Sequence, residues 1–247
     1  MNTTIRTTLM GVLAFAAASA QAQVIVHGTR VIFPGDQREV TVRLQNTAER
    51  AALVQTWTDD GNPEAKPETA STPFLLRPPV FRLDAGKSQV VRMQFTGAAL
   101  PQDRESLYWF NALDIPPKPS ADKVPSGNFL QFSVRTRIKI FYRPKGLTAS
   151  AAAAAHEKVQ WKVVPEGKGW ALQASNPTPY YVNFSQIDLQ AGGKAYPHSD
   201  IGMVPPLSTA TFALPGLGSK PVQADVQYVY VTDQGANLTR SVPLSVP

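Results

Sequence analysis

Between Asn128 and Pro144 the chain reads NFLQFSVRTRIKIFYRP, in which Leu130, Phe132, Val134, Thr136, Ile138 and Ile140 alternate with Gln131, Ser133, Arg135, Arg137 and Lys139. Successive side chains of a β-strand point to opposite faces, so a period of two sustained over this length specifies a strand. At about 3.3 Å per residue a dozen such positions span roughly 40 Å, about twice the common strand length. A strand that outruns its sheet implies that part of it serves something beyond that sheet. Large apolar side chains exposed on a strand edge invite another chain to pair there, and proteins block such edges unless pairing is the function.

The first residues, MNTTIRTTLMGVLAFAAASAQAQ, place a basic Arg6 before an apolar stretch from Leu9 to Ala18 and a small-residue site at Ala20, Gln21 and Ala22. This is the pattern of a secretory signal over residues 1–22, with a mature start at Gln23. The apolar stretch is too short to cross a bilayer, and no later segment approaches about 18 continuous apolar residues, so an exported chain that does not span the membrane is expected. The formal charge is +6 and the signal carries only Arg6, leaving +5 spread along the strands. That balance leans weakly toward acidic partners, and export argues against nucleic acid.

Proline accounts for 22 of 247 residues, nearly twice the usual share of about 5%. With short alternating runs, this favours strands punctuated by turns and argues against long helices. Seven runs precede Pro144, namely VIVHGTRVIF, REVTVRLQN, ALVQTWTDD, PVFRLDAG, SQVVRMQF, SLYWFNALDI and the long one. Seven short strands in about 120 residues suit an immunoglobulin-like sandwich. The low-complexity stretch LTASAAAAAHEK then marks a boundary, and VQWKVVP, WALQASN, YYVNFSQIDLQ, TATFALPG, VQADVQYVYVTD and LTRSVPLSV suggest a second, smaller sandwich. The expected fold class is all-β, with an N-terminal domain at 23–145 and a C-terminal domain at 146–247. The chain has no cysteine, so stability must come from the cores alone.

Catalytic constellations are nearly absent from the sequence. His27, His156 and His198 are far apart, without metal-ligand spacing, and read as three isolated surface histidines. Ser120 and Lys123 form an SxxK match inside a Pro/Gly/Ser-rich loop without its partner motifs, and neither a phosphate-binding glycine loop nor a GxSxG elbow occurs. No metal, cofactor or enzymatic activity is expected.

Three segments remain distinctive: LPQDRESLYWFNALDIPP from Leu100 to Pro117, the long run ending in FYRP, and NPTPYYV from Asn176 to Val182. Together they resemble the periplasmic chaperones of the chaperone/usher pilus-assembly pathway, whose signature is an acidic-basic-Glu-Ser run leading into an aromatic strand and an Asn. Ala112 stands where that family usually has a larger aliphatic residue. The resemblance implies two immunoglobulin-like sandwiches in an L-shaped arrangement with a cleft between them. It also implies a periplasmic protein that caps pilin subunits by donor-strand complementation and delivers them to an outer-membrane usher.

Carried over by position, Leu130, Phe132 and Val134 would be the donor residues; ordinary core packing is the competing reading. Arg30 and Lys139 would hold the subunit's C-terminal carboxylate, since guanidinium and ammonium groups donate charge-assisted hydrogen bonds to such an anion. Strand parity places Lys139 opposite the apolar donors unless a bulge intervenes. Arg135 and Arg137 read as a solvated strand face. Glu105, Arg143 and Asp233 match the family's interdomain ion network, against the alternative of separate surface charges. The loop KPSADKVPSGN is short and cysteine-free, resembling the short-loop branch associated with rod-like pili. A different reading is an exported two-domain adhesion module that binds carbohydrate through Trp109, Tyr180 and Tyr181.

Overall fold

The computed structural model describes residues 24–117, 131–198, 200 and 202–244; the signal, Leu130 and the whole of the KPSADKVPSGN loop lie outside the described residues. Two sheets form the N-terminal sandwich. The first has the order β1 (Val24–Val26), β3 (Glu39–Asn46), β7 (Ser88–Phe95) and β5 (Phe74–Arg77). The second runs β2 (Arg30–Pro34), β9 (Val134–Arg143), β8 (Ser106–Ile115), β4 (Ala52–Asp59) and β6 (Val80–Leu83). The run VIVHGTRVIF, one strand by its alternation, is divided between the sheets: β1 pairs with β3, while β2 lies parallel to β9. Gly28 makes the crossing with a φ of 97°, a backbone region in which a Cβ is strained.

Side chains from both sheets meet in a core that fully buries Phe33, Leu44, Val54, Val91, Met93, Phe110 and Ile140. Strand β5 was not among the seven expected runs. Its sequence FLLR has the burial alternation of a strand, with Phe74 and Leu76 inside and Leu75 exposed, but an apolar residue at the exposed position hides the pattern.

The C-terminal sandwich combines β10 (Gln160–Glu166), β11 (Gly169–Asn176) and β15 (Ser208–Ala213) in one sheet. Its second sheet has the order β13 (Lys194–Pro197), β12 (Val182–Ala191), β16 (Ala224–Val231) and β17 (Asn237–Leu244), with β14 (Gly202–Val204) also on β12. Phe184, Ile187, Leu189, Leu172, Val226 and Tyr228 fill the space between. Strands β13 and β14 are too short to present a periodic signal.

The alanine-rich stretch between the domains is folded. Thr148 caps helix α1 (Ala149–Ala153) by accepting a hydrogen bond from the Ala151 amide at 3.2 Å. A 3-10 turn at Ala155–Lys158 then inserts His156 into the second domain. His156 is therefore not a surface histidine: it is only 4% exposed, its ring stacks on Tyr230 at 3.6 Å between centroids, and its Nδ1 lies 3.1 Å from the Tyr228 hydroxyl. Among the described residues no group of His, Asp or Glu is placed to hold a metal ion.

Burial pushes the His156 imidazole below its ordinary value; Glu157 opposes the shift and Arg240 adds to it. A base depressed in the folded state binds fewer protons there than in the unfolded chain, so stability falls as pH drops below the unfolded value of about 6.5. We expect urea denaturation of the C-terminal domain to show this loss between pH 7.5 and 5, and His156→Phe to flatten it. An unchanged pH profile in that variant would assign the effect to other groups.

Candidate functional site

Strand β9 has different neighbours along its two halves. Strand β8 pairs with all but its last residue, from Asp114↔Val134 to Ser106↔Tyr142, in unbroken register. Strand β2 covers the other side only from Lys139 to Arg143. From Val134 to Ile138 that side has no partner strand among the described residues, so the backbone there is a sheet edge. The even positions divide accordingly. Ile138, Ile140 and Tyr142 are buried in the core, whereas Val134 is 40% exposed and Phe132, just before the strand, is 70% exposed. The last β8–β9 pair is Asp114↔Val134, so Phe132 lies beyond the ladder. The regular strand thus has 10 residues rather than the dozen expected from the alternation.

The odd positions Lys139, Phe141 and Arg143 face the second domain. Lys139 Nζ donates to Asn183 Oδ1 at 2.6 Å, and Arg30, directly beside Lys139 in register, donates to the Val231 carbonyl at 3.2 Å. Without a bulge in the register, Lys139 points away from the face that carries Ile138 and Ile140. Among the described residues neither cation forms an ion pair, and Arg30 Nε is buried without a hydrogen-bond partner. Burial, then the neighbouring Arg30, pushes Lys139 down to about 8. Burial also lowers Arg30, with Asp233 opposing. Arg30, Phe141 and Asn183 line an interdomain cavity of about 190 Å³. Glu105 and Asp233 also line this cavity but are bonded to Arg143, so the two adjacent, partly desolvated cations, neither of them ion-paired, could hold an anion.

Arg143, Glu105 and Asp233 do meet across the domain boundary. Arg143 Nε donates to Glu105 Oε1 at 2.8 Å, and its two terminal nitrogens grip Asp233 at 2.8 and 3.1 Å. Glu105 Oε2 accepts the Tyr181 amide at 2.8 Å, and the Glu105 amide donates to the Pro179 carbonyl at 2.9 Å. Both Arg143 and Glu105 are buried, at 6% and 4% exposure. Burial works against the Arg143 charge, but Asp233 and Glu105 outweigh it and hold the guanidinium protonated.

Arg135 and Arg137 are not a solvated face. Arg137 clamps the buried Asp59 carboxylate at 3.0 and 2.5 Å, with its guanidinium 3.9 Å from the centre of Trp109. Arg135 donates to Asn111 Oδ1 at 2.8 Å and lies 4.9 Å from the centre of Trp57. Despite its burial, Asp59 is held below the usual carboxylate range by Arg137 and Asn111. The aromatic residues of the carbohydrate reading are also engaged: Arg137 covers Trp109, Tyr180 is 5% exposed, and Tyr181 packs on Phe141 at 5.5 Å. Sequence reasoning missed Asn183, Phe141 and Val231, which complete the cation site through contacts that carry no local motif.

Residues 23–148 match the family described as pili and flagellar-assembly chaperone, PapD N-terminal domain. Residues 154–242 match its counterpart, pili assembly chaperone PapD, C-terminal domain. The chain belongs to the PapD family of pilus-assembly chaperones. It is 43% identical over 224 residues to the probable fimbrial chaperone YadV of Escherichia coli strain K12, with 90% of each chain covered. It is 45% identical over 226 residues to the chaperone HifB of Haemophilus influenzae, covering 91% of this chain and 89% of that one. The crystal structure of YadV superposes with a TM-score of 0.77 and 38% identity, over 90% of this chain and 100% of that one. The SafB chaperone of Salmonella enterica, solved in complex with the SafA pilin, gives 0.73 and 26% over 93% and 99%. The fold of this chaperone is therefore two immunoglobulin-like sandwiches.

Removing one member of a buried charge pair strands the others in low dielectric. Arg143→Ala should cost about 3 to 5 kcal/mol, and adding Glu105→Ala should cost less than the sum of the single changes. Chemical denaturation of the single and double variants measures this coupling; additive effects would make the charges independent.

Proposed function

We propose that this chaperone works in the periplasm, holds pilin subunits by lending them the free edge of β9, and passes them to an outer-membrane usher. The observation that carries this reading is the unshared half of β9, flanked by exposed Phe132 and Val134 at one end and by the unpaired Arg30 and Lys139 at the other. A subunit that lacks one strand has an unpaired backbone edge and an open apolar groove. Strand addition satisfies that edge with backbone hydrogen bonds, while alternate side chains fill the groove. Leu130 would extend the same alternation toward the N-terminus. Each donor residue contributes roughly 1.5 to 3 kcal/mol when fully buried, before association costs are subtracted.

The cation pair would set the register. Lys139 is five residues from Val134, about 17 Å along an extended chain. A terminal carboxylate held by Arg30 and Lys139 therefore directs the preceding residues of the subunit along the free edge toward Val134 and Phe132. The same reading places the domain division at 145/146, removes residues 1–22 on export, and assigns no catalytic step. Glu105, Arg143 and Asp233 would fix the angle between the domains, and so the distance between the cation pair and the wall of the cleft.

Donor residues must be exposed before the subunit arrives, so Phe132→Ser should alter the chaperone's own unfolding free energy little. Truncation of the buried Phe33 to alanine should cost about 3 to 5 kcal/mol. Pilin recovery from the periplasm should fall with Phe132→Ser. Full recovery with a stable variant would remove Phe132 from the donor set, and a large stability loss would return it to the core.

Arg30→Ala or Lys139→Ala should leave folding intact and weaken pilin binding by about 2 to 5 kcal/mol. Because Lys139 titrates near 8 in the free chaperone, a bound carboxylate must raise its proton affinity. Binding above about pH 8 should therefore take up protons, and affinity should fall as pH rises. Calorimetry in buffers of different ionisation enthalpy reads that uptake; none in the wild type, or the same uptake in Lys139→Ala, would take Lys139 out of the anchor.

A further inference from the structure

The alanine-rich run after Pro144 forms part of the wall of the interdomain cavity. Ala149, Ala152 and Ala153 stand at the three- and four-residue spacings that bring helical side chains onto one face, and all three line that cavity. The buried Val182 and Tyr230 line it as well, the Tyr230 ring held by its stack on His156. Leu238, the register partner of Tyr230, completes the apolar wall and is 42% exposed. Arg30 and Asn183, the latter the hydrogen-bond partner of Lys139, line the same cavity, so the cation site and the apolar wall share one enclosure. Its volume of about 190 Å³ exceeds the roughly 150 Å³ that suffices for an apolar cavity to take a benzene ring.

Volume alone names no ligand, but the neighbouring cations do. In the last residue of any chain the carboxyl carbon is bonded to the α-carbon that bears the side chain, about 1.5 Å away. A carboxylate held by Arg30 and Lys139 therefore brings one side chain to this cavity. The backbone of that residue leaves along the free edge of β9, and side chains stand roughly perpendicular to an extended backbone. The last side chain and the chain behind it thus take different directions.

We propose that the cavity is a pocket for the side chain of the subunit's C-terminal residue, selective for an apolar group up to the size of an aromatic ring. This rests on the reading that Arg30 and Lys139 hold the subunit's terminal carboxylate, and it concerns what lies beside that carboxylate. The alanine methyls set the size limit, because a larger side chain at Ala149 or Ala153 would occupy the space itself. Glu105 and Asp233 are committed to Arg143 and do not compete for the ligand's anchor. A charged last side chain would lose hydration against Val182, Tyr230 and the methyls, whereas an apolar one gains by the same burial.

The test uses the full chaperone and synthetic peptides Ser-Val-Thr-Val-Thr-Val-X with a free carboxylate, X being Gly, Leu, Phe or Asp. Seven extended residues span about 23 Å, enough to run from Lys139 past Val134. In titration calorimetry Leu and Phe should bind at least about tenfold more tightly than Gly, and Asp no better than Gly. Ala153→Leu should bring Leu and Phe to within about threefold of Gly. Ala149→Leu is a second filling variant; both positions are exposed, so either side chain can be enlarged without entering a core. Equal affinity for all four peptides would overturn the pocket, as would an unchanged preference in the folded variants or a preference that follows the penultimate residue. Gly peptides ending in carboxylate or amide read the anchor separately. A carboxylate advantage with no effect of X overturns the pocket alone, whereas equal binding of acid and amide, or no binding by any peptide, overturns the anchor beneath it.

Discussion

Strand β9 is shared on both sides along only half its length, and the proposed binding surface is organised around that inequality. Where β2 covers it, Lys139 to Arg143, the strand is an interior strand whose even side chains enter the core and whose odd ones face the second domain. Beyond β2 it is held by β8 alone, and its other backbone groups are open. An edge of this kind is usually blunted by charges or proline. Here the residues at its open end are Val134 and Phe132.

The interdomain charges show a second division of labour. Asp233 is the carboxylate that bears on Arg30, yet both of its oxygens are taken by the Arg143 guanidinium. Glu105 is likewise committed, to Arg143 and to the Tyr181 amide. Arg30 and Lys139 are left with a carbonyl and an amide oxygen, which satisfy hydrogen bonds without neutralising charge. Arg143 thus joins the domains and, by occupying the acids, keeps the neighbouring cations available.

How much of this the sequence made legible follows from the range of each interaction. Alternation identified β3, β7 and β9 because a half-buried strand writes its environment at every second position. It failed at β5, where exposed Leu75 is as apolar as its buried neighbours. It also read β1 and β2 as one strand, since the turn at Gly28 changes the sheet without breaking the composition. His156 looked superficial because its neighbours in sequence are alanines and charges, whereas its neighbours in space are Tyr228 and Tyr230. Arg137 and Asp59 are 78 residues apart, and no local pattern joins them. Arg30, Lys139, Glu105, Arg143 and Asp233 were nameable in advance only because a family signature encodes long-range contacts that periodicity does not.

A chain selected only for its own stability would not keep these features. Exposed Phe132 gains little from folding, burial of Lys139 beside Arg30 works against its own charge, and Arg30 Nε is buried without an acceptor. Each is unfavourable in the isolated chaperone, and under the proposed strand addition each would be relieved by the same kind of ligand: an extended chain with apolar side chains and a carboxylate at its end. The two cores, which have no disulfide to assist them, carry the stability that lets this surface stay unsatisfied. The free energy withheld from folding is then available on binding, where relief of an unpaired charge and burial of an exposed aromatic ring count toward the complex instead of the free protein.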